Sequence, residues 1–162
     1  MKTILFVCTG NTCRSSMAEA MLKELIKESE YKDEEIRVIS AGTWAIEGQK
    51  ANEKAIQAMK EKNIDLTGHR STPLTKEIAE KADLILTMTQ NHKNQILKAL
   101  PEMEGKVYTL KEFAGDKGEL DIMDPYGQSI KVYKQTAEEM EKLLKKTLEK
   151  ILQFINIKKE GK

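Results

Sequence analysis

Cys8 and Arg14 are separated by five residues in the stretch TILFVCTGNTCRSSMAEAM, positions 3–21. A thiol at the end of an apolar run, a short polar loop and then an arginine suit nucleophilic attack on a tetrahedral oxyanion. Five residues let the chain wrap once around such an anion with successive N–H groups inward. An arginine opening the next helix adds a planar clamp to that helix's positive end. The loop itself is Thr9, Gly10, Asn11, Thr12 and Cys13; Gly10 is expected to give it backbone freedom. The same partial charges favour a thiolate at Cys8 and would stabilise charge on a transferring phosphoryl group. The alternative is a structural core cysteine, since free Cys is among the most buried residue types. Its place at a strand's C-terminal end, with the C-x5-R spacing and Ser15, favours the nucleophile. A nucleotide-binding loop is excluded, because the lysine and second glycine of GxxxxGK[ST] are missing.

A thiolate expels a poor leaving group only with a proton donor. The stretch LDIMDPYG, positions 120–127, offers Asp124, with Pro125 stiffening the backbone after it and Gly127 permitting a turn. Asp116 and Asp121 are rival acids in the same loop. Plain turn chemistry is the other reading of D-P-Y-G.

The elements that must position these groups alternate in period. Residues 3–8, 36–40, 83–88 and 106–110 read as strands. Residues 15–29, 49–61, 75–81 and 90–99 read as helices, and a loop over 114–129 leads to a long C-terminal helix over about 129–157. Strands alternating with helices predict an α/β fold: one domain over 1–162, a three-layer sandwich with a central four-stranded parallel sheet. Sites in such sheets lie at the C-terminal strand ends, which selects loops 9–14, 41–48, 89–91 and 111–129.

Composition narrows the function. The net charge of +1 provides no field to attract nucleic acid or a membrane surface, and no apolar run approaches a membrane span. No secretory leader is read at the N-terminus, so the expectation is a cytoplasmic protein with reduced thiols. The cysteines are Cys8 and Cys13, and the histidines His69 and His92 stand apart. Neither a disulfide framework nor a metal site follows from them. Arginine is scarce, confined to Arg14, Arg37 and Arg70, and a guanidinium grips an oxyanion bidentately where lysine cannot.

The string VCTGNTCRS resembles the signature V-C-x-G-N-x-C-R-S of the low-molecular-weight protein-tyrosine-phosphatase family, with further matches at 124-DPYG-127, 39-ISAG-42 and 69-HRS-71. The resemblance spans the chain. It implies a cysteinyl-phosphate intermediate on Cys8, phosphate binding by residues 9–14, Asp124 as general acid and then base, and no metal or cofactor. It also implies that Trp44 and Tyr126 wall the pocket, that Asn11, Ser15, Ser40 and His69 brace the loop, and that Cys13 is a redox partner for Cys8. For Trp44 a core position, and for Cys13 a role as buried filler, stay open. The implied partner is a phosphorylated protein, and a monomer is the default.

Position 12 bears on the substrate. By resemblance, the bacterial protein-arginine-phosphatase branch has the same CTGNTCRS, whereas tyrosine-directed members often carry a larger aliphatic residue at that place. Thr89 in LTMTQNHK, where many tyrosine phosphatases have the Asp of M-D-x-x-N, and the later YKQT point the same way. Tyr126 points the other way, since that branch often has Phe there. Protein phosphoarginine is therefore the expected substrate and phosphotyrosine the alternative. An arsenate reductase would need further cysteines, and a silent phosphate-binding module would not need both Cys8 and Asp124.

Overall fold

Apolar residues of the central strands face both ways and are buried on both sides, which a parallel sheet covered by helices on each face allows. The computed structural model describes residues 1–31 and 33–159; the last residues of the expected domain, 160–162, lie outside them. Strand β1 (Lys2–Cys8) leads into helix α1 (Arg14–Lys27), then β2 (Ile36–Gly42), α2 (Glu53–Lys60), α3 (Lys76–Lys81) and β3 (Leu84–Thr87). Helix α4 (Gln90–Ala99), β4 (Val107–Thr109), the short α5 (Leu110–Phe113) and the long α6 (Ile130–Phe154) complete the order. The strands are parallel, in the order β2-β1-β3-β4, so the expected three-layer α/β architecture is the one adopted.

Alternation along the strands divides the core in two. Ile4, Phe6, Leu84 and Leu86 pack with Met17, Met21 and Leu22 of α1 and with Tyr133, Ala137, Met140 and Leu144 of α6. Leu5, Val7, Ile85 and Val107 pack on the other face with Ala79 of α3 and Ile96 of α4. Helix α6 buries positions spaced by three and four, and its buried hydroxyls are satisfied within the helix: Thr136 donates to the Val132 carbonyl at 2.9 Å and Thr147 to the Leu143 carbonyl at 2.7 Å.

At two helix ends that differ from expectation, an asparagine is the cause. Helix α2 starts at Glu53 rather than 49, because Asn52 caps it by accepting from the Lys54 N–H at 2.9 Å. Residues 49 and 50 are used instead against the strand-like segment at 70–71, through the Lys50–Arg70 bridge and the Gln49 N–H on Ser71 Oγ. Helix α6 stops at Phe154 rather than 157, because Asn156 turns left-handed at φ 63° and the Ile157 N–H closes back on the Leu152 carbonyl. Helix α5 was not expected; Thr109 and Glu112 form a capping box that starts it straight after β4.

The sheet also determines how close the first loop lies to its neighbour. Gly42, at the end of β2 opposite Cys8, has no room for a side chain: a Cβ there would collide with the Thr9 carbonyl oxygen and stand 3.0 Å from the Asn11 nitrogen. Gly42→Ala should therefore lower stability by about 1–3 kcal/mol and weaken phosphate inhibition, measured by urea denaturation and by competition with inorganic phosphate. An unchanged phosphate affinity would show that the loop does not depend on this contact.

Candidate active site

Cys8 ends β1 and is 2% exposed. The loop after it sends its carbonyls outward. The Cys8 carbonyl accepts from Thr43 N–H and the Thr9 carbonyl from Trp44 N–H, both at 2.9 Å; the Thr12 carbonyl accepts from Asn52 N–H at the same distance. The Asn11 carbonyl meets His69 Nε2 at 2.6 Å. With these groups committed to the surroundings, the amide edge of the loop is free to face inward, and the Asn11 N–H points at Cys8 Sγ at 3.3 Å. The left-handed residue of the loop is Asn11, at φ 58°, rather than Gly10. Asparagine tolerates that region better than most residues.

Asn11 is fully buried and its side chain orders a network. Its Oδ1 accepts from the Thr72 N–H at 2.8 Å, while Nδ2 donates to Ser15 Oγ and to Ser40 Oγ, each at 2.8 Å. Both hydroxyls therefore accept a hydrogen bond from Asn11 and are left to donate their own elsewhere. Ser40 donates to Glu19 Oε1 at 2.6 Å, and Ser15 is left to donate to Cys8 Sγ at 2.8 Å. Two donors thus converge on the sulfur.

Arg14 starts α1 and is 5% exposed. Its Nη1 donates to the Ile122 carbonyl at 2.9 Å, which fixes the guanidinium plane, and Nη2 stands 3.6 Å from Asp124 Oδ2. The N-cap of α1, Cys13, provides no side-chain cap, so a side chain does not occupy the helix's positive end. Asp124 is half exposed; its Oδ1 accepts from the Tyr126 N–H at 3.0 Å, and Gly127 makes the turn at φ 80°.

These groups line one cleft of about 350 Å³. Cys8, Arg14 and Asp124 share it with Thr9, Gly10, Thr12 and Cys13 from the loop. Trp44 and Tyr126 form its rim, 84% and 70% exposed, so Trp44 is not a core residue. Asn11, Ser15, Ser40 and His69 lie behind the loop, outside the cleft lining. The rival acids are engaged elsewhere: Asp121 accepts from the Gln90 N–H at 2.8 Å, and Asp116 faces Lys146 at 3.8 Å. Among the described residues no cluster of His, Cys, Asp and Glu could hold a metal ion. No helix of the described chain is long and apolar enough to cross a membrane.

Several contributors were not foreseen. Ile46 and Gln49 line the cleft. The Ile122 carbonyl, whose role leaves no side-chain signal, orients Arg14. Cys13 Sγ lies 3.4 Å from the hydroxyl of the buried Tyr133. Burial pushes the Cys13 thiol up, the Tyr133 hydroxyl bond only partly opposing this, and burial likewise raises Tyr133. Both cysteines are free thiols. His92 is buried at 3% exposure beside Thr9.

Burial, and then the charge of Arg14, push His92 down to about 4 from an ordinary 6.5, with Asp121 and Asp124 opposing weakly. As pH falls through 6.5 an unfolded chain binds a proton there that the folded chain refuses until about 4. The folded state therefore keeps this contribution above pH 6.5 and loses it between 6.5 and 4, by as much as about 3 kcal/mol. Urea denaturation should show stability falling more steeply over that range in the wild type than in His92→Gln. Parallel curves would mean that His92 is not held neutral.

Comparison with known proteins agrees with the geometry. Residues 3–160 match the family described as low molecular weight phosphotyrosine protein phosphatase. A protein-arginine-phosphatase of Bacillus subtilis is 48% identical over 88% of this chain and 91% of its own length. One from Geobacillus stearothermophilus is 43% identical over 91% and 95%. Low molecular weight protein-tyrosine-phosphatase PtpB of Staphylococcus haemolyticus is 37% identical over 85% and 91%. A solved structure of YwlE arginine phosphatase, in a variant with a phosphorylated active-site serine, superposes with a TM-score of 0.83 at 45% identity, covering 93% of this chain and 95% of that one. The chain belongs to the low molecular weight phosphotyrosine protein phosphatase family.

Proposed function

We propose that this protein is a cysteine-dependent phosphatase of protein phosphoarginine. The observation that carries the chemistry is the convergence of Cys8, Arg14 and Asp124 on one cleft whose floor is a loop with outward carbonyls. For the substrate, the support is Thr12 in that cleft together with the two relatives named for arginine phosphatase activity.

The reaction runs in two displacements. Cys8 Sγ attacks phosphorus, and an S–P bond forms as the P–N bond to the arginine side chain breaks. Asp124 gives its proton to the departing nitrogen. Water then attacks the phosphocysteine while Asp124 takes its proton; a P–O bond forms, the S–P bond breaks, and phosphate leaves the regenerated thiolate. Loop amides, the start of α1 and the Arg14 guanidinium stabilise the equatorial oxygens throughout. Ser15 and Asn11 hold the sulfur as nucleophile and leaving group.

Thr12 and Asp124 account for the choice of side chain. A guanidino group is branched, planar and rich in N–H donors. A small hydroxyl at position 12 leaves room for it and accepts a hydrogen bond, and the carbonyl oxygen of the protonated Asp124 carboxyl can accept another. Trp44 and Tyr126 would flank either substrate, so they do not discriminate. Phosphotyrosine is the second reading, favoured by the tyrosine phosphatases among the relatives. The chemistry needs a free thiol, so the working compartment is a reducing one such as the cytoplasm. A monomer suffices, because one chain holds every group used. Cys13 is the thiol available to trap an oxidised Cys8.

The deciding experiment is the ratio of kcat/KM for phosphoarginine and phosphotyrosine peptides. The expected ratio favours phosphoarginine in the wild type and moves toward phosphotyrosine in Thr12→Ile; an unmoved ratio removes Thr12 as selector. Cys8→Ser should fold and lose turnover. Asp124→Ala should lose about 10²–10⁴-fold in rate on poor leaving groups and far less on good ones. An equal loss across a leaving-group series would assign the proton to another group.

A further inference from the structure

His92 is a buried titratable group that the reaction above does not use. Both ring nitrogens are engaged: Nε2 lies 2.9 Å from Thr9 Oγ1, and Nδ1 lies 2.9 Å from Thr89 Oγ1. Thr9 directly follows the nucleophile. Thr89 caps α4 and accepts from the His92 backbone N–H at 3.2 Å. A neutral ring carries one N–H, so one threonine donates to the ring and the other accepts from it. A protonated ring would need two acceptors in a buried place that already feels Arg14.

The segment around His92 touches each part of the proposed machinery. The Met88 N–H donates to the Val7 carbonyl at 3.0 Å, one residue before Cys8. The Met88 carbonyl accepts from the Ile122 N–H at 2.8 Å, and the Gln90 N–H donates to Asp121 Oδ1 at 2.8 Å. Ile122 in turn receives Arg14, and Asp124 follows two residues later. Residues 88–92 therefore join the nucleophile loop to the segment carrying the acid. Of these links, the one from His92 to Thr9 is a side-chain bond into the loop itself.

We propose that His92 is a positioning residue: by bridging Thr9 and Thr89 it holds the first turn of the phosphate-binding loop in register with the segment that carries Asp124. It lies outside the cleft lining, so its influence on rate passes through Cys8 and Asp124. Misplacement of reacting groups by about 1 Å costs rate far more than it costs binding. The inference rests on the phosphatase reading but not on the choice of phosphorylated side chain, so p-nitrophenyl phosphate serves as the probe.

His92→Ala and Thr9→Val should each lower kcat by about tenfold or more while KM stays within about threefold. The double variant should fall no further than the worse single one, since both changes remove the same bond. His92→Gln, whose amide can pair with Thr9, should recover part of the rate. Losses that multiply in the double variant overturn the proposal, as does an unchanged kcat in His92→Ala with only a lower melting temperature. Should His92→Ala not fold, Thr9→Val and His92→Gln decide, and a wild-type kcat in Thr9→Val refutes the bridge. A wild-type protein with no turnover of the probe would instead sink the phosphatase reading, and this proposal with it.

Discussion

A loop that binds an anion with its amides must send its carbonyls elsewhere, because buried peptide groups need partners of their own. Here the carbonyls of Cys8, Thr9, Asn11 and Thr12 are taken by Thr43, Trp44, His69 and Asn52. All four partners come from the chain between β2 and α3. That chain has no regular structure around Thr43 and Trp44, yet it cannot vary freely, since it is the mould of the loop. Gly42 marks how tightly the two fit. Asn11 completes the arrangement by taking the left-handed turn and aligning two serine hydroxyls, one toward the sulfur and one toward Glu19.

The proposed nucleophile and the proposed acid are supported differently. Cys8 and Arg14 are buried and fixed by strand, helix and the Ile122 carbonyl. Asp124 sits half exposed on a turn whose nearest anchor to the sheet is Ile122, bonded to Met88. A phosphoryl group must meet a rigid cradle, since stabilisation of its charge depends on preorganised donors. In the proposed reaction Asp124 meets the leaving group, and a half-exposed carboxylate can adjust to it. Its interaction with Arg14 at 3.6 Å is accordingly solvent-screened rather than a fixed buried pair.

The sequence was most legible where local chemistry and spacing coincide. C-x5-R located the cradle, because wrapping an anion requires that spacing, and the alternation of strands and helices gave the sheet. The start of α2 and the end of α6 were legible only in retrospect: Asn52 and Asn156 decide them, and an asparagine reads equally as cap or solvated surface until its neighbours are known. The four-residue α5 is too short for periodicity to register, although Thr109 and Glu112 have the spacing of a capping box. The orientation of Arg14 depends on a backbone carbonyl, which no side-chain pattern encodes. His92 reads in sequence as a lone helix residue. Only the parallel pairing of β1 with β3, which places Val7 opposite Thr87, brings it to Thr9.

Trp44 is the chain's single tryptophan, and it stands in water at the rim of the cleft. Its indole is thus the sole source of long-wavelength ultraviolet emission in the molecule, and it sits on the lining of the cleft. The folded core is silent in that band, so the emission carries no background from it. A shift in its colour or intensity reports occupancy of the cleft, without a label and without disturbing the chemistry beneath.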